Sequence, residues 1–226
     1  MLLLPKSTEY NKLVPKKTLE TQLKNTFRTL PAGFRQALSQ QVKALHWRNK
    51  LTATLLNLPP GKAVEEIQVF HITLNAPELN RAFLQTLDEG IPYPILFLLE
   101  HEGRFQAAIA YKEKTVGGEK ERRAFQVTQY YHSDWTTWEE LPIEISGFSL
   151  DAVYENFVRQ LAHFTLKGHA EATLRQCVAQ QRSQEELLRK IEALRTKMRR
   201  EVQLNRQFEL FHELKALEAQ LLPAEE

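Results

Sequence analysis

One short run of apolar residues limits the folds open to this chain more than any other feature. Residues 94–99 are Pro-Ile-Leu-Phe-Leu-Leu, so an extended backbone here would be apolar on both faces. A strand of that kind is covered on both sides and usually lies in the middle of a sheet. The run lies within residues 66–135, where the β pattern is strongest. We therefore expect this stretch to form the sheet on which the other elements pack.

The order of elements predicted in this stretch is strand, helix, strand, strand, strand. Residues 66–74 and 93–99 flank a helical segment, and such a crossover joins parallel strands. Residues 104–111 and 125–135 alternate polar and apolar side chains, which predicts two further antiparallel strands. Residues 141–147 predict a short edge strand. The fold class is therefore α+β, with a small mixed sheet of four to five strands around a β-α-β-β-β core.

Helices are predicted before and after the sheet. Residues 18–27 and 34–46 carry apolar side chains at helical spacing. Ser149 suits the N-cap of a later helix whose apolar stripe would pack on the sheet. The sequence therefore predicts a sheet flanked by N-terminal helices and by one packing helix.

Two domains are expected from these patterns. The first, residues 1–170, combines a basic helical N-terminal arm (1–60) with the sheet (66–145). The second, residues 171–226, is an extended C-terminal helical arm.

The N-terminal arm is strongly cationic. Residues 1–50 contain ten Lys and Arg against two Glu, a net charge of +8, whereas residues 51–181 have a net charge of −6. Such an arm either binds a polyanion or packs on the acidic body of the same chain. A nucleic-acid-binding module is therefore one hypothesis for function. Its candidate phosphate contacts are Lys12, Lys16, Lys17, Arg48 and Lys50.

The C-terminal arm carries two apolar stripes that are typical of helix pairing. From Arg182 the sequence contains no glycine, and no proline before Pro223. Both stripes have the 4-3-4 spacing of a heptad seam. The candidate seam residues are Leu187, Ile191, Leu194, Met198, Leu210, Leu214, Leu217 and Leu221.

The two stripes are out of phase with each other. Met198 and Leu210 are twelve residues apart, where strict heptads need eleven or fourteen. Either one helix of roughly 58 Å crosses a discontinuity, at about 1.5 Å per residue, or the chain folds back near Asn205. We favour the single helix, because no glycine or proline marks a turn. A helix with so narrow a seam needs a partner helix.

Residue patterns that would indicate catalysis are weak. A single cysteine, Cys177, excludes an intramolecular disulfide and a cysteine-based metal cluster. The seven histidines lack the spacing of a helical zinc site. A carboxylate-lysine nuclease would need an Asp and then Glu-x-Lys on the next strand; Asp88 and Glu100 come nearest, but the lysine is missing. We expect no metal and no cofactor.

Two further histidine arrangements are possible sites. His132 and Asp134 are close enough in sequence to pair, and His101 lies between two glutamates in a turn that favours a solvated tip.

The apolar run at the N terminus stops at Pro5, well short of the roughly 7–15 residues of a secretory signal. We therefore expect a cytoplasmic protein with no membrane contact.

Four short motifs in order resemble one family over nearly the whole chain. They are Lys12-Leu-Val-Pro-Lys16, Trp47-Arg-Asn-Lys-Leu51 with Thr54 and Asn57, Ile91-Pro-Tyr-Pro94, and Lys197-Met-Arg-Arg-Glu-Val-Gln-Leu-Asn205 followed by Glu213-Leu-Lys215. Together they resemble domain of unknown function 4391, a mainly bacterial family. The resemblance implies that this protein occurs together with helicases and DNA methyltransferases of restriction-like systems. It implies no catalytic residue.

The function expected from these observations is that of a non-catalytic accessory protein in a bacterial restriction-like or DNA-metabolism system. It would associate through its C-terminal helix, either with itself or with a larger helicase or methyltransferase subunit. The alternatives are the nucleic-acid-binding module described above and a degenerate nuclease-like subunit.

Overall fold

The computed structural model describes residues 4–114, 125–162 and 173–221. The chain divides into two compact units, Met1–Phe164 and Thr165–Glu226. The boundary predicted between residues 170 and 171 lies outside the described residues. Within the three described ranges, no helix is long and apolar enough to cross a membrane.

The first unit contains six strands and five α-helices within its described residues. The strands are β1 (Glu9–Leu13), β2 (Val42–Thr52), β3 (Glu66–Leu74), β4 (Ile95–His101), β5 (Arg104–Lys114) and β6 (Phe125–His132). The helices are α1 (Lys16–Leu23), α2 (Ala32–Gln40), α3 (Ala53–Leu56), α4 (Arg81–Gly90) and α5 (Leu150–Leu161). A 3-10 turn at Lys6–Thr8 precedes β1.

All six strands form one sheet whose spatial order follows the chain order, from β1 to β6. The pair β3–β4 is parallel, with α4 as the crossover between them, and the other neighbouring pairs are antiparallel. Residues 95–99 of β4 are buried throughout, as the apolar run predicts for a central strand. The β-α-β-β-β core and its parallel pair are therefore confirmed.

The prediction of four to five strands is wrong, because the arm predicted to be helical adds β1 and β2. Helix α2 ends at Gln40, so the predicted helix over residues 34–46 is wrong in its last part. The apolar residues Val42 and Leu45 continue the helical spacing, yet they belong to strand β2, which pairs with β3, and both are buried there. Two register shifts in that pairing break the strict alternation that would identify β2 in sequence.

The edge strand predicted over residues 141–147 is also wrong. Leu141 and Ile143 are buried, but no strand forms within this described segment. Its apolar residues pack without joining the ladder. The strand predicted over residues 104–111 continues three residues further, because β5 extends to Lys114.

Helices cover both faces of the sheet. On one face α1, α2 and α4 form a continuous core with β3 and β4 that includes Phe34, Phe83 and Phe97. On the other face α5 packs against β3, β5 and β6. The Ser149 hydroxyl accepts a hydrogen bond of 3.2 Å from the backbone N–H of Ala152, which confirms the predicted N-cap.

Within its described residues the second unit contains two helices, α6 (Leu174–Arg200) and α7 (Leu204–Ala219). A long C-terminal helix is confirmed in α6, but the favoured prediction that one helix continues through both stripes is wrong. A charge-assisted hydrogen bond of 2.7 Å joins Arg195 on α6 to Glu218 on α7. Arg195 lies five residues before the end of α6 and Glu218 lies next to the end of α7. Because only three residues connect the helices and this pair joins them, the chain folds back and α6 and α7 form a helical hairpin.

The turn of the hairpin needs neither glycine nor proline. The Glu201 carboxylate accepts hydrogen bonds of 3.0 and 3.1 Å from the backbone N–H groups of Val202 and Gln203. The side-chain amide of Gln207 donates to the Glu201 carbonyl at 2.6 Å. These bonds supply partners at the end of α6 and the start of α7, where backbone groups lack helical ones. The twelve-residue step between the two stripes was the sequence signal of this break.

Candidate functional site

Two of the five predicted phosphate contacts are engaged within the chain. Lys50 Nζ lies 2.8 Å from a Glu66 carboxylate oxygen, and this hydrogen bond raises the pKa of Lys50. Lys16 Nζ donates to the backbone carbonyl of Val42 at 2.5 Å and so ties the start of α1 to the start of β2. Both lysines therefore have a structural role that the sequence did not indicate.

The other three predicted contacts differ in their surroundings. The Arg48 guanidinium lies 4.2 Å from the ring centre of Trp138, and burial lowers the pKa of Arg48. Lys12 and Lys17 are exposed, and their side chains make no hydrogen bond or ion pair within the described residues. Nucleic-acid binding by the arm stays a prediction, and Lys12 and Lys17 are its most available cations.

Three neighbouring strands bring together a polar cluster on the sheet, which we call the histidine cluster: His46, His71, Thr73 and Glu100. His46 on β2 is the cross-strand partner of His71 on β3, with ring centres 6.3 Å apart. His71 Nε2 lies 2.7 Å from Glu100 Oε2, and the Thr73 hydroxyl donates to the same oxygen at 3.3 Å. The parallel pairing of β3 with β4 places Thr73 beside Glu100, which explains the convergence.

Burial controls the electrostatics of the histidine cluster. It lowers the pKa of His71, while Glu100 opposes this shift and Arg48 and His46 add to it. The imidazole is therefore neutral at pH 7 and is oriented by a carboxylate. His46 Nδ1 is buried and has no hydrogen-bond partner within the described residues. The His71–Glu100 pair can hold or move a proton. A metal site is not indicated, since no group of three potential metal ligands occurs in the described part of the chain.

Aromatic side chains border the histidine cluster. Phe105 lies 6.1 Å from the His71 ring and 5.2 Å from the Trp138 ring, and Trp138 carries the Arg48 guanidinium described above. Sequence reasoning missed this arrangement because its members come from separate strands. The available signal was His71 itself, which shares the alternation of the buried residues Ile67 and Val69.

We expect an NMR titration to give His71 a pKa below about 6.5, the ordinary value for histidine. Because the folded protein then binds this proton less readily than the unfolded chain, the free energy of unfolding should fall as the pH drops below about 6.5. The measurement is the unfolding free energy at several pH values, together with the chemical shifts of the His71 ring.

Two variants provide the controls for this titration. Glu100→Gln should lower the pKa of His71 further, because it removes the carboxylate that favours the protonated ring. His71→Gln should flatten the part of the pH dependence that His71 causes. A His71 pKa at or above the ordinary value would show that Glu100, and not burial, dominates.

The residues considered for a nuclease site have separate partners. Asp88 Oδ1 lies 2.9 Å from Lys112 Nζ, and the Tyr130 hydroxyl donates to Asp88 Oδ2 at 2.5 Å. Glu100 instead belongs to the histidine cluster. A buried carboxylate already bound to an ammonium group and a hydroxyl is a poor metal ligand, so this geometry gives the nuclease hypothesis no support.

The other two histidine arrangements lie at exposed parts of the first unit, although the His101 side chain itself is half-buried. His132 and Asp134 are both exposed. His101 Nε2 lies 4.0 Å from a Glu102 carboxylate oxygen, and the Glu102 side chain is 85% exposed. The turn between β4 and β5 is therefore a solvated tip, as expected.

The predicted helix-pairing stripes lie on two helices that pack against each other. Ile191, Leu210 and Leu214 are buried. The remaining stripe residues are half-buried: Leu187, Leu194, Met198, Leu217 and Leu221. Pairing of this seam with a helix of another chain stays a prediction.

A second apolar surface lies at the turn of the hairpin, where only Met198 belongs to the predicted stripes. Leu204, Phe208 and Phe211 are 67%, 58% and 43% exposed. They border a groove of about 330 Å³ whose lining residues define what we call the hairpin tip: Met198, Leu204, Gln207, Phe208 and Phe211. Contiguous exposed apolar side chains of this kind mark interaction sites. Sequence reasoning missed the tip, although Leu204, Phe208 and Phe211 share the 4-3 spacing of one helix face.

Comparison with known proteins identifies the family of this chain. The model of the family described as domain of unknown function (DUF4391) matches residues 2–221, nearly the whole chain. The chain therefore belongs to this family, as the four motifs indicate. No curated protein and no solved structure matches it.

Proposed function

We propose that this DUF4391 protein is a non-catalytic accessory protein that binds a protein partner through its hairpin tip. The observation that carries the proposal is the exposure of Leu204, Phe208 and Phe211 around one groove. Burying a large apolar side chain contributes about 1.5–3 kcal/mol, so two phenylalanines can anchor a complex. Aromatic anchors in a central pocket commonly dominate the binding energy of an interface.

The hairpin is suited to present this tip in one conformation. The bonds that Glu201 makes fix the turn, and the Arg195–Glu218 ion pair joins α6 to α7. A surface that is ordered before binding loses less conformational entropy when the complex forms. We therefore assign the tip the docking role and the hairpin the role of its rigid support.

The partner we propose is a larger subunit of a restriction-like or DNA-metabolism system, such as a helicase or a methyltransferase. This choice follows from what the family resemblance implies, a place beside such proteins. The interface would be of the helix-in-groove type, in which apolar side chains at i, i+3 and i+4 enter a groove between helices.

Co-purification from the native host, followed by mass spectrometry, tests the proposal. We expect a larger protein to be recovered with the wild-type chain and to be lost with the double variant Phe208→Glu/Phe211→Glu. The two carboxylates would have to be desolvated in the complex, which is strongly unfavourable.

Leu188→Glu is the matched control, because Leu188 is 52% exposed on α6 but does not line the groove. This variant should retain the partner, and circular dichroism should show unchanged helix content in all variants. Recovery of the same protein with the double variant would contradict docking through the tip.

A further inference from the structure

We infer that the hairpin tip recognises an acidic, amphipathic helical segment of its partner; this inference rests on the proposed function. The charges around the groove carry it. Lys197 and Arg199 flank Met198 in the last turn of α6, about 100° to either side of it on the helix. Arg200 and Arg206 stand on either side of the turn. All four side chains are exposed.

The four cations are only partly compensated within the described part of the chain: the pKa of Glu201 is lowered first by backbone hydrogen bonds and then by the charges of Arg206 and Lys197. None of their side chains makes a hydrogen bond or an ion pair there. Residues 197–211, which include every residue that lines the groove, contain these four cations and two carboxylates, Glu201 and Glu209, and so have a net charge of +2. The Glu201 carboxylate is itself held by two backbone N–H groups of the turn. The groove is therefore apolar with a basic surround.

Two other cations of the hairpin are engaged within it. Arg195 pairs with Glu218 at 2.7 Å, and Lys215 lies 3.1 Å from the same carboxylate group. These two cations stabilise the hairpin, whereas the four cations at the turn have no such ion pair within the described residues. Basic residues in the last turn also favour the helix dipole, but that role does not require Arg206, which lies near the start of α7.

These features together define the chemistry of the occupant. The groove of about 330 Å³ is at the lower end of the range for binding pockets, and it suits a few apolar side chains from one helix face. Its basic surround favours Asp and Glu beside those anchors and steers such a segment during association. A nucleic acid would also be attracted by the charge, but the apolar lining of Met198, Leu204 and two phenylalanines favours a peptide.

Selection from a random peptide library displayed on phage, with the full-length protein as the target, tests the inference. We expect the selected peptides to contain apolar residues at i, i+3 or i+4 with Asp and Glu between them. Binding of a selected peptide, measured by fluorescence anisotropy, should be abolished by Phe208→Glu/Phe211→Glu. It should weaken about tenfold in Lys197→Glu/Arg199→Glu and weaken with added salt.

Arg189→Glu/Lys190→Glu provides the matched control, because it reverses two exposed cations in the middle of α6. This variant should bind the selected peptide as the wild type does. Circular dichroism then separates loss of binding from loss of the hairpin.

Three results would overturn the inference. These are selection of peptides without acidic enrichment, selection of no peptide that depends on the tip, and displacement of the peptide by a short oligonucleotide at equal concentration. A partner that is lost with Phe208→Glu/Phe211→Glu but retained with Lys197→Glu/Arg199→Glu would leave the proposed function intact and refute the acidic specificity. A partner retained with both variants would refute the proposed function.

Discussion

Replacing Lys112 with methionine is expected to destabilise the first unit by about 3–5 kcal/mol, the usual cost of removing one partner from a buried ion pair. The side chains of Lys112 and Asp88 are 1% and 0% exposed, and Nζ lies 2.9 Å from Oδ1. Without the ammonium group, the Asp88 carboxylate must either stay charged in an apolar environment or take up a proton.

The position of Lys112 explains why the effect should be large. Its ammonium group also donates to the backbone carbonyls of Asp88 at 2.9 Å and Tyr93 at 2.8 Å. It therefore fastens the end of α4 and the start of the chain leading to β4 onto β5. Burial raises the pKa of Asp88, and Lys112 and Tyr130 lower it. Losing the lysine removes the strongest of the influences that keep the carboxylate ionised.

Two further variants separate the charge from the packing. Tyr130→Phe removes one hydrogen bond to the Asp88 carboxylate but leaves the ion pair, so we expect a smaller loss of about 1.5–3 kcal/mol. Asp88→Asn/Lys112→Met should be more stable than Lys112→Met alone, because no buried charge is left without a partner.

The measurement is urea-induced unfolding followed by tryptophan fluorescence. Trp47, Trp135 and Trp138 all lie in the first unit, so this signal reports on that unit alone. A Lys112→Met variant within about 1 kcal/mol of the wild type would contradict the expected cost of an unpaired buried charge.

The parts of the fold that could be predicted are those whose signals are local. The apolar run in β4 requires cover on both faces, and a helix between two strands requires a parallel crossover, so both were predictable. The N-cap at Ser149 depends on residues three apart. In each case the atoms that determine the structure are close together in sequence.

The parts that could not be predicted depend on contacts between residues far apart in the sequence, or on residues that depart from the regular spacing of a strand or a heptad. Register shifts in β2 hide its alternation, and the hydrogen bonds of Glu201 make a turn that lacks glycine and proline. His71 and Glu100 meet only because β3 and β4 pair. The hairpin tip was missed because all of its residues except Met198 lie off the heptad seam, and its groove exists only once the chain has turned.

Truncating Phe83 or Phe34 to alanine is expected to destabilise the first unit by about 3–5 kcal/mol in each case, from lost burial and the cavity that remains. Both side chains are 0% exposed, and their rings stack 5.0 Å apart at an interplanar angle of 4°. Phe34 lies on α2 and Phe83 on α4, so this contact fixes the position of α2 on the sheet. Helix α2 is the one whose C-terminal end was predicted too far along the chain.

The double variant gives a sharper result than either single change. Because the rings touch, the loss in Phe34→Ala/Phe83→Ala should be smaller than the sum of the two single losses by about 0.5–1.5 kcal/mol. Phe148→Ala is the matched control: Phe148 is 92% exposed, and the same truncation there should change the stability by less than about 0.5 kcal/mol. Strict additivity of the two core truncations, measured by the same tryptophan signal, would mean that α2 does not pack on α4 through this pair.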